Sequence, residues 1–173
     1  MAIGFLRRRP KKRQQRTAAP WPSTPLPPRR PASYYLVAGV ALDRELERLC
    51  GLPVFADGAL ATRRPQLKVR RASKRPNKLG FAVPAEFRLQ VTAYPGIGPG
   101  DILETLLHEL THLHVGRAAE AHAWHGRTFK RALANAMEQA YGVEIPPPPH
   151  TRHGVYAAAI DASRSPAQSG GEG

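Results

Sequence analysis

The sequence predicts an α+β domain: an N-terminal helix, a short antiparallel sheet, a long apolar-backed helix and a following C-terminal helix, with a tail at each end. Three observations predict it. Apolar residues recur at near-helical spacing in three stretches, around residues 34–50, 102–115 and 126–141. Between the first two, residues 66–92 alternate apolar and polar as half-buried strands do. Both ends have compositions unfit for packing. A chain of 173 residues is long enough for one hydrophobic core. The organisation expected is therefore a basic, proline-rich arm over 1–33, a folded domain over 34–147 and a disordered tail over 148–173.

The arm contains Arg7-Arg8-Arg9-Pro10-Lys11-Lys12-Arg13, then Pro20, Pro22, Pro25, Pro27, Pro28 and Pro31, so it lacks backbone donors and has little to bury. From Ser33 the pattern changes. Tyr35, Leu36, Val40, Leu42, Leu46 and Leu49 predict a helix over about 34–50, with Gly51 as a left-handed cap. Strands are expected at Gln66 to Arg71, with Leu67 and Val69 inward, at Gly80 to Val83, and at Phe87 to Thr92. Arg75-Pro76-Asn77 supplies a turn, and Pro84 marks an edge or a break.

Tyr94 to Gly100 is a loop rich in glycine and proline. Asp101 then reads as an N-cap with Glu104 three residues on, a capping-box-like start. The helix it opens runs through Ile102, Leu103, Leu106, Leu107, Leu110 and Leu113 to about Val115, where Gly116 ends it. A further helix from Gly126 to Tyr141 aligns Phe129, Leu133, Ala136, Met137 and Ala140 on one face and stops at Gly142, before Pro146 to Pro149.

The formal charge is +13 and the pI about 10.9. The excess is uneven: residues 1–31 carry nine Lys or Arg and no acid, and residues 63–78 carry eight and no acid. Such runs suit an acidic partner, with DNA contact through segments 7–16 and 63–78 as one reading, and a solvated linker accounts for the arm equally well. Cys50 is the sole cysteine, which excludes an intrachain disulfide and a Cys-x-x-Cys zinc ribbon. The N-terminus lacks the charged start and apolar middle of a secretory signal, and no apolar run reaches the roughly 18–20 residues needed to span a bilayer. The expectation is a cytoplasmic protein, nucleoid-associated if it binds DNA, with no membrane partner.

The chemistry resides in His108-Glu109-Leu110-Thr111-His112. Residues four apart lie on one helix face, so the two imidazoles can meet at a common metal ion. Glu109 lies about 100° around the helix from His108, placed to handle the proton of a water rather than to ligate. Chance would give this pattern in about one or two chains in a hundred of this composition.

A catalytic zinc needs a third protein ligand and an open position. His114, Glu120, His122 and His125 are the candidates downstream. His114, two residues past His112, points to the far side of the helix, into packing or solvent. His125 is favoured because Gly126 and Phe129 place it at a helix entrance with an aromatic anchor one turn in. His122 is expected beside the site or at the surface. Two other zinc layouts are also open to test. A metzincin would need glycine and histidine where the chain has Val115 and Ala118, so that pattern fails, and a gluzincin would need Glu138, which reads as a surface residue.

Leu106 to His112, with Trp124-His125-Gly126-Arg127-Thr128-Phe129-Lys130 downstream, resembles the SprT-like family of zinc metallopeptidases, and Lys78-Leu79-Gly80 is similar to that family's layout. The likeness covers roughly residues 34–145. It implies a compact zincin-like α+β domain, Zn2+ held by His108, His112 and His125, Glu109 as catalytic base, and hydrolysis of protein or peptide substrates, in some members proteins bound or crosslinked to DNA. The chain departs from many members in lacking a zinc ribbon after the domain. His122 and Tyr94 are candidates for a second donor to the oxyanion. Glu104, one turn before His108, is a capping residue or a partner of a ligand imidazole. The alternative from a different class is a nucleic-acid-binding protein whose zinc is structural or absent.

Overall fold

The structure is a computed structural model that describes residues 30–119, 125–144 and 154–165. The expected arm over 1–33 lies almost wholly outside these residues. A single helical turn, α1 (Ala32–Tyr35), is followed by a tight hairpin of β1 (Leu36–Val37) and β2 (Val40–Ala41). Helix α2 (Leu42–Cys50) and short α3 (Ala59–Thr62) come next. The sheet is formed by β3 (Gln66–Arg71), β4 (Gly80–Val83) and β5 (Arg88–Ala93). Three helices close the fold: α4 (Pro99–Ala119), α5 (Arg127–Tyr141) and α6 (Ala157–Arg164). The α+β class is the one the sequence predicts.

Four details correct the sequence reading. The helix expected over 34–50 starts only at Leu42, because Ala38 and Gly39 both take positive φ (49° and 75°) and turn the chain back as a hairpin. Gly51 ends that helix at φ −83° and not in a left-handed cap. The sheet is mixed rather than antiparallel: its order is β3-β5-β4, with β5 antiparallel to β4 but parallel to β3. Parallel pairing follows from the crossover, since the chain leaves β3, forms the far edge strand β4, and returns between them. The fourth correction concerns the end of the chain, where the tail expected over 148–173 contains α6.

Every residue of α4 from Ile102 to Leu113 is buried. The sheet covers one side of it, α5 and α6 others, and Leu42, Leu46, Leu49 and Phe55 belong to the same core. A helix buried all round has to satisfy its polar groups within the protein. Thr105 and Thr111 do so by donating to the carbonyls of Asp101 and Leu107, both at 2.8 Å. Glu104, His108, Glu109 and His112 are the other buried polar groups of this segment, so the fold commits them to particular partners.

The start of α4 also differs from the expected capping box. Pro99 occupies the first turn and Ile102 N–H donates to the Gly98 carbonyl, so Asp101 lies inside the first turn instead of capping it. Glu104 turns to the C-terminal segment, where its carboxylate accepts the N–H groups of Gly154, Tyr156 and Ala157 at 2.9–3.2 Å. In return, Asp161 of α6 accepts the Gly100 N–H at 2.7 Å. Each helix therefore supplies the carboxylate for the other's exposed amides. Tyr156 and Ile160 complete the docking by entering the core.

Gly116 interrupts the helical run with φ 72° and ψ 168°, at the position where the sequence predicts the helix to end. The α5 helix stops at Gly142 in the left-handed conformation, as expected, with its N–H on the Glu138 carbonyl at 2.8 Å.

Candidate metal centre

The middle of α4 presents His108 and His112 one turn apart, both buried. His125 reaches the same point from the entrance of α5, two residues before its first helical residue. The three Nε2 atoms form an equilateral triangle: 3.2 Å from His108 to His112, 3.2 Å from His125 to His108 and 3.2 Å from His125 to His112. Phe129, in the first turn of α5, lies against all three rings, with centroids 5.0, 4.3 and 4.9 Å from those of His108, His112 and His125. The aromatic anchor thus fixes the imidazoles as a set.

Such a triangle frustrates hydrogen bonding. Each Nε2 carries either a proton or a lone pair, so among three mutual neighbours at least two are alike and repel. A cation that accepts all three lone pairs removes the conflict. The donor set also fits: tetrahedral metal–imidazole bonds of about 2.0–2.1 Å separate neighbouring nitrogens by roughly 3.3–3.4 Å, close to the edges seen. Three imidazole nitrogens are a donor set suited to a borderline ion such as zinc.

Glu109 is buried beside this triangle and faces the sheet. A Cβ added to Gly80, the first residue of β4, would lie 2.7 Å from Glu109 Cγ, 2.7 Å from its Oε1 and 2.9 Å from the backbone oxygen of Gln90. Only glycine lets β4 pass this close to the carboxylate. The sequence reading singled out Gly80 as part of a motif without its contact to Glu109; the signal was a glycine opening a strand, which marks close approach by another group.

The other histidine and carboxylate candidates separate clearly. His114 is half-buried on the far side of α4, its ring 5.1 Å from Phe55, and burial holds its pKa below the ordinary value while Asp57 opposes the shift. Glu138 is exposed on α5, as expected of a surface residue. Glu120 and His122 lie outside the described residues. Tyr94 follows β5 with the Arg75 guanidinium 6.0 Å from its ring centroid. Glu104, read as a cap or a ligand's partner, instead holds the C-terminal segment. Burial pushes its carboxyl up to about 7, against the lowering effect of the three N–H donors.

No family model matches the chain, and no curated protein does. Among solved structures it is similar to the metallopeptidase zymogen of Pyrococcus abyssi abylysin, at 21% identity and a TM-score of 0.36, over 57% of this chain and 84% of that one. Among the described residues, no helix is long and apolar enough to cross a membrane. Cys50 lies outside the cluster of His108, His112 and His125, and burial raises its thiol to about 11.

Proposed function

We propose that the chain is a zinc-dependent metallopeptidase of the SprT-like kind, with His108, His112 and His125 holding Zn2+ and Glu109 as catalytic base. The observation that carries this reading is the Nε2 triangle, with 3.2 Å edges, two of whose corners share α4 with a buried glutamate that is not itself a corner. A purely structural three-histidine site would have no use for that glutamate.

Zinc at this site would acidify water and polarise a substrate carbonyl. The protein's own groups do the rest. Glu109 takes the water's proton and passes it to the leaving amine, and its burial excludes bulk solvent from that exchange. Phe129 holds the three imidazoles in one orientation. The β4 strand is at the edge of the sheet among the described residues and begins against Glu109, so an extended peptide added along it would bring its backbone to the base. Proteins associated with DNA are the proposed substrates, with segments 7–16 and 63–78 as nucleic-acid contacts and the cytoplasm, at the nucleoid, as the setting.

The test compares wild type, Glu109→Gln and His125→Ala for bound zinc by elemental analysis and for cleavage of casein and of a DNA-bound protein. The wild type is expected to hold one zinc and cleave. Glu109→Gln should keep the zinc and lose cleavage by about 10²–10⁴-fold. Equal zinc in wild type and Glu109→Gln with no cleavage by either would defeat the peptidase reading and favour a structural metal.

A further inference from the structure

We infer that the sheet face turned away from α4 is a binding surface for single-stranded nucleic acid, with Phe81 as the platform for a base and Lys68 and Arg70 as phosphate contacts. This narrows the DNA association proposed above and does not depend on the peptide chemistry.

Strand alternation separates the two faces. Gly80 faces Glu109 on α4, and Val69, Leu89 and Val91 enter the core, so the residues between them point the other way. The register aligns that second face in rows: Phe81 and Lys68 both pair with Gln90 from opposite sides, and Arg70 pairs with Thr92 one row on. Phe81 and Lys68 therefore lie two inter-strand spacings apart, about 10 Å. A nucleotide spans that gap with its base on the ring and its phosphate at the end of the flexible lysine stem.

Phe81 is 40% exposed, and apart from Leu36 it is the exposed large apolar side chain among the described residues. Toward Val83 stands the Arg88–Glu86 pair, and toward Gly80 the charges are basic. Lys68, Arg70, Lys74 and Lys78 are exposed and stand outside the ion pairs of the described residues, which join Arg48 to Glu45, Arg64 to Glu47 and Arg88 to Glu86. Lys74 and Lys78 belong to the segment that joins the end of β3, beside Arg70, to β4. Residues 1–31 of the chain, with nine basic residues and no acid, would be repelled from such a surface, so the arm does not suit it. A duplex keeps its bases stacked inside. Only an unpaired strand offers a base to an exposed ring and phosphates to the lysines.

The experiment measures fluorescence anisotropy of a labelled 15-nucleotide oligothymidylate and of a duplex of the same length. It uses the full chain as wild type, Phe81→Ala, Phe81→Leu and the Lys68→Gln/Arg70→Gln double variant, across a salt series. Losing the ring should weaken single-strand binding by roughly 5- to 100-fold in both Phe81 variants, leave the salt slope alone and leave duplex binding unchanged. The double variant should lower the salt slope by about 1.4. Phe81→Leu keeps the apolar bulk, so a loss shared with Phe81→Ala reports the ring and not unfolding. Wild-type affinity in all the variants would overturn the proposal and move binding to the arm. Equal weakening on duplex and single strand would overturn the stacking, and no binding by wild type would remove the DNA association altogether.

Discussion

Gly80 of β4 faces the Glu109 carboxylate so closely that a single added methyl would lie 2.7 Å from Oε1. One neighbour in that contact is a flexible side chain, but another is the Gln90 backbone oxygen at 2.9 Å, which the β4–β5 pairing holds in place. Gly80→Ala should therefore push Glu109 aside. We expect kcat/KM to fall by about 10- to 100-fold while bound zinc, read by elemental analysis, stays at the wild-type level. Wild-type turnover in this variant would mean that the glutamate's position is not critical.

Phe129 carries a second prediction. Its ring lies 4.3 Å from that of His112 and about 5 Å from those of the other two histidines, so it is both core and support for the centre. Phe129→Ala should cost about 3–5 kcal/mol of stability in denaturant titrations. Phe129→Leu, which refills most of the volume, should recover much of the stability while still binding zinc more weakly than wild type in a chelator competition.

The Glu104 carboxyl predicts a pH dependence of defined sign. Burial raises its pKa from 4.5 to about 7, so between those values the folded protein binds more protons than the unfolded chain. The stabilisation is fully present below about pH 4.5 and is lost as the pH rises through 7. Glu104→Gln has no proton to lose there. Between pH 5 and pH 8 the metal-free wild type should lose about 1–3 kcal/mol relative to the variant in urea titrations. Parallel pH profiles would show that the carboxyl does not titrate in this range.

The docking of α6 supplies a further test. Ile160 is fully buried in the core that α4 shares. Ile160→Ala should destabilise by about 2–5 kcal/mol. Asp161→Ala, which frees only the Gly100 N–H, should cost about 0.5–2 kcal/mol. Both should shift the urea midpoint in that order of size.

The clustering of the three histidines was legible in the sequence because each of them has a local reason to be where it is. His108 and His112 are spaced by the helix itself, and His125 is placed by the Gly126 and Phe129 that follow it. Their meeting at equal 3.2 Å separations required only that α5 fold back onto α4. The relationships that escaped are non-local. Glu104 fits the capping-box spacing, yet its partners are some 50 residues away, and nothing in its own segment reveals them. The parallel pairing of β3 with β5 depends on where the chain crosses, which alternation alone leaves undetermined. Residues 154–165 look like a tail because they are small and polar, but Tyr156, Ala157 and Ile160 have the spacing of a short helix's inner face. The hairpin at Ala38-Gly39 escaped for a simpler reason, since its few apolar residues also satisfy a helical period.

The reciprocal contacts between α4 and α6 also set an order of events during synthesis. Gly154, Ala157 and Asp161 are added about 50 to 61 residues after the helix positions they complete. While the ribosome is still making that last segment, Glu104 has no amides to accept and the first turn of α4 lacks its carboxylate. The histidines are therefore all translated before the helix that carries two of them is fully held. A nascent chain stalled short of Asp161 would carry His108 and His112 on a helix that α6 does not yet secure.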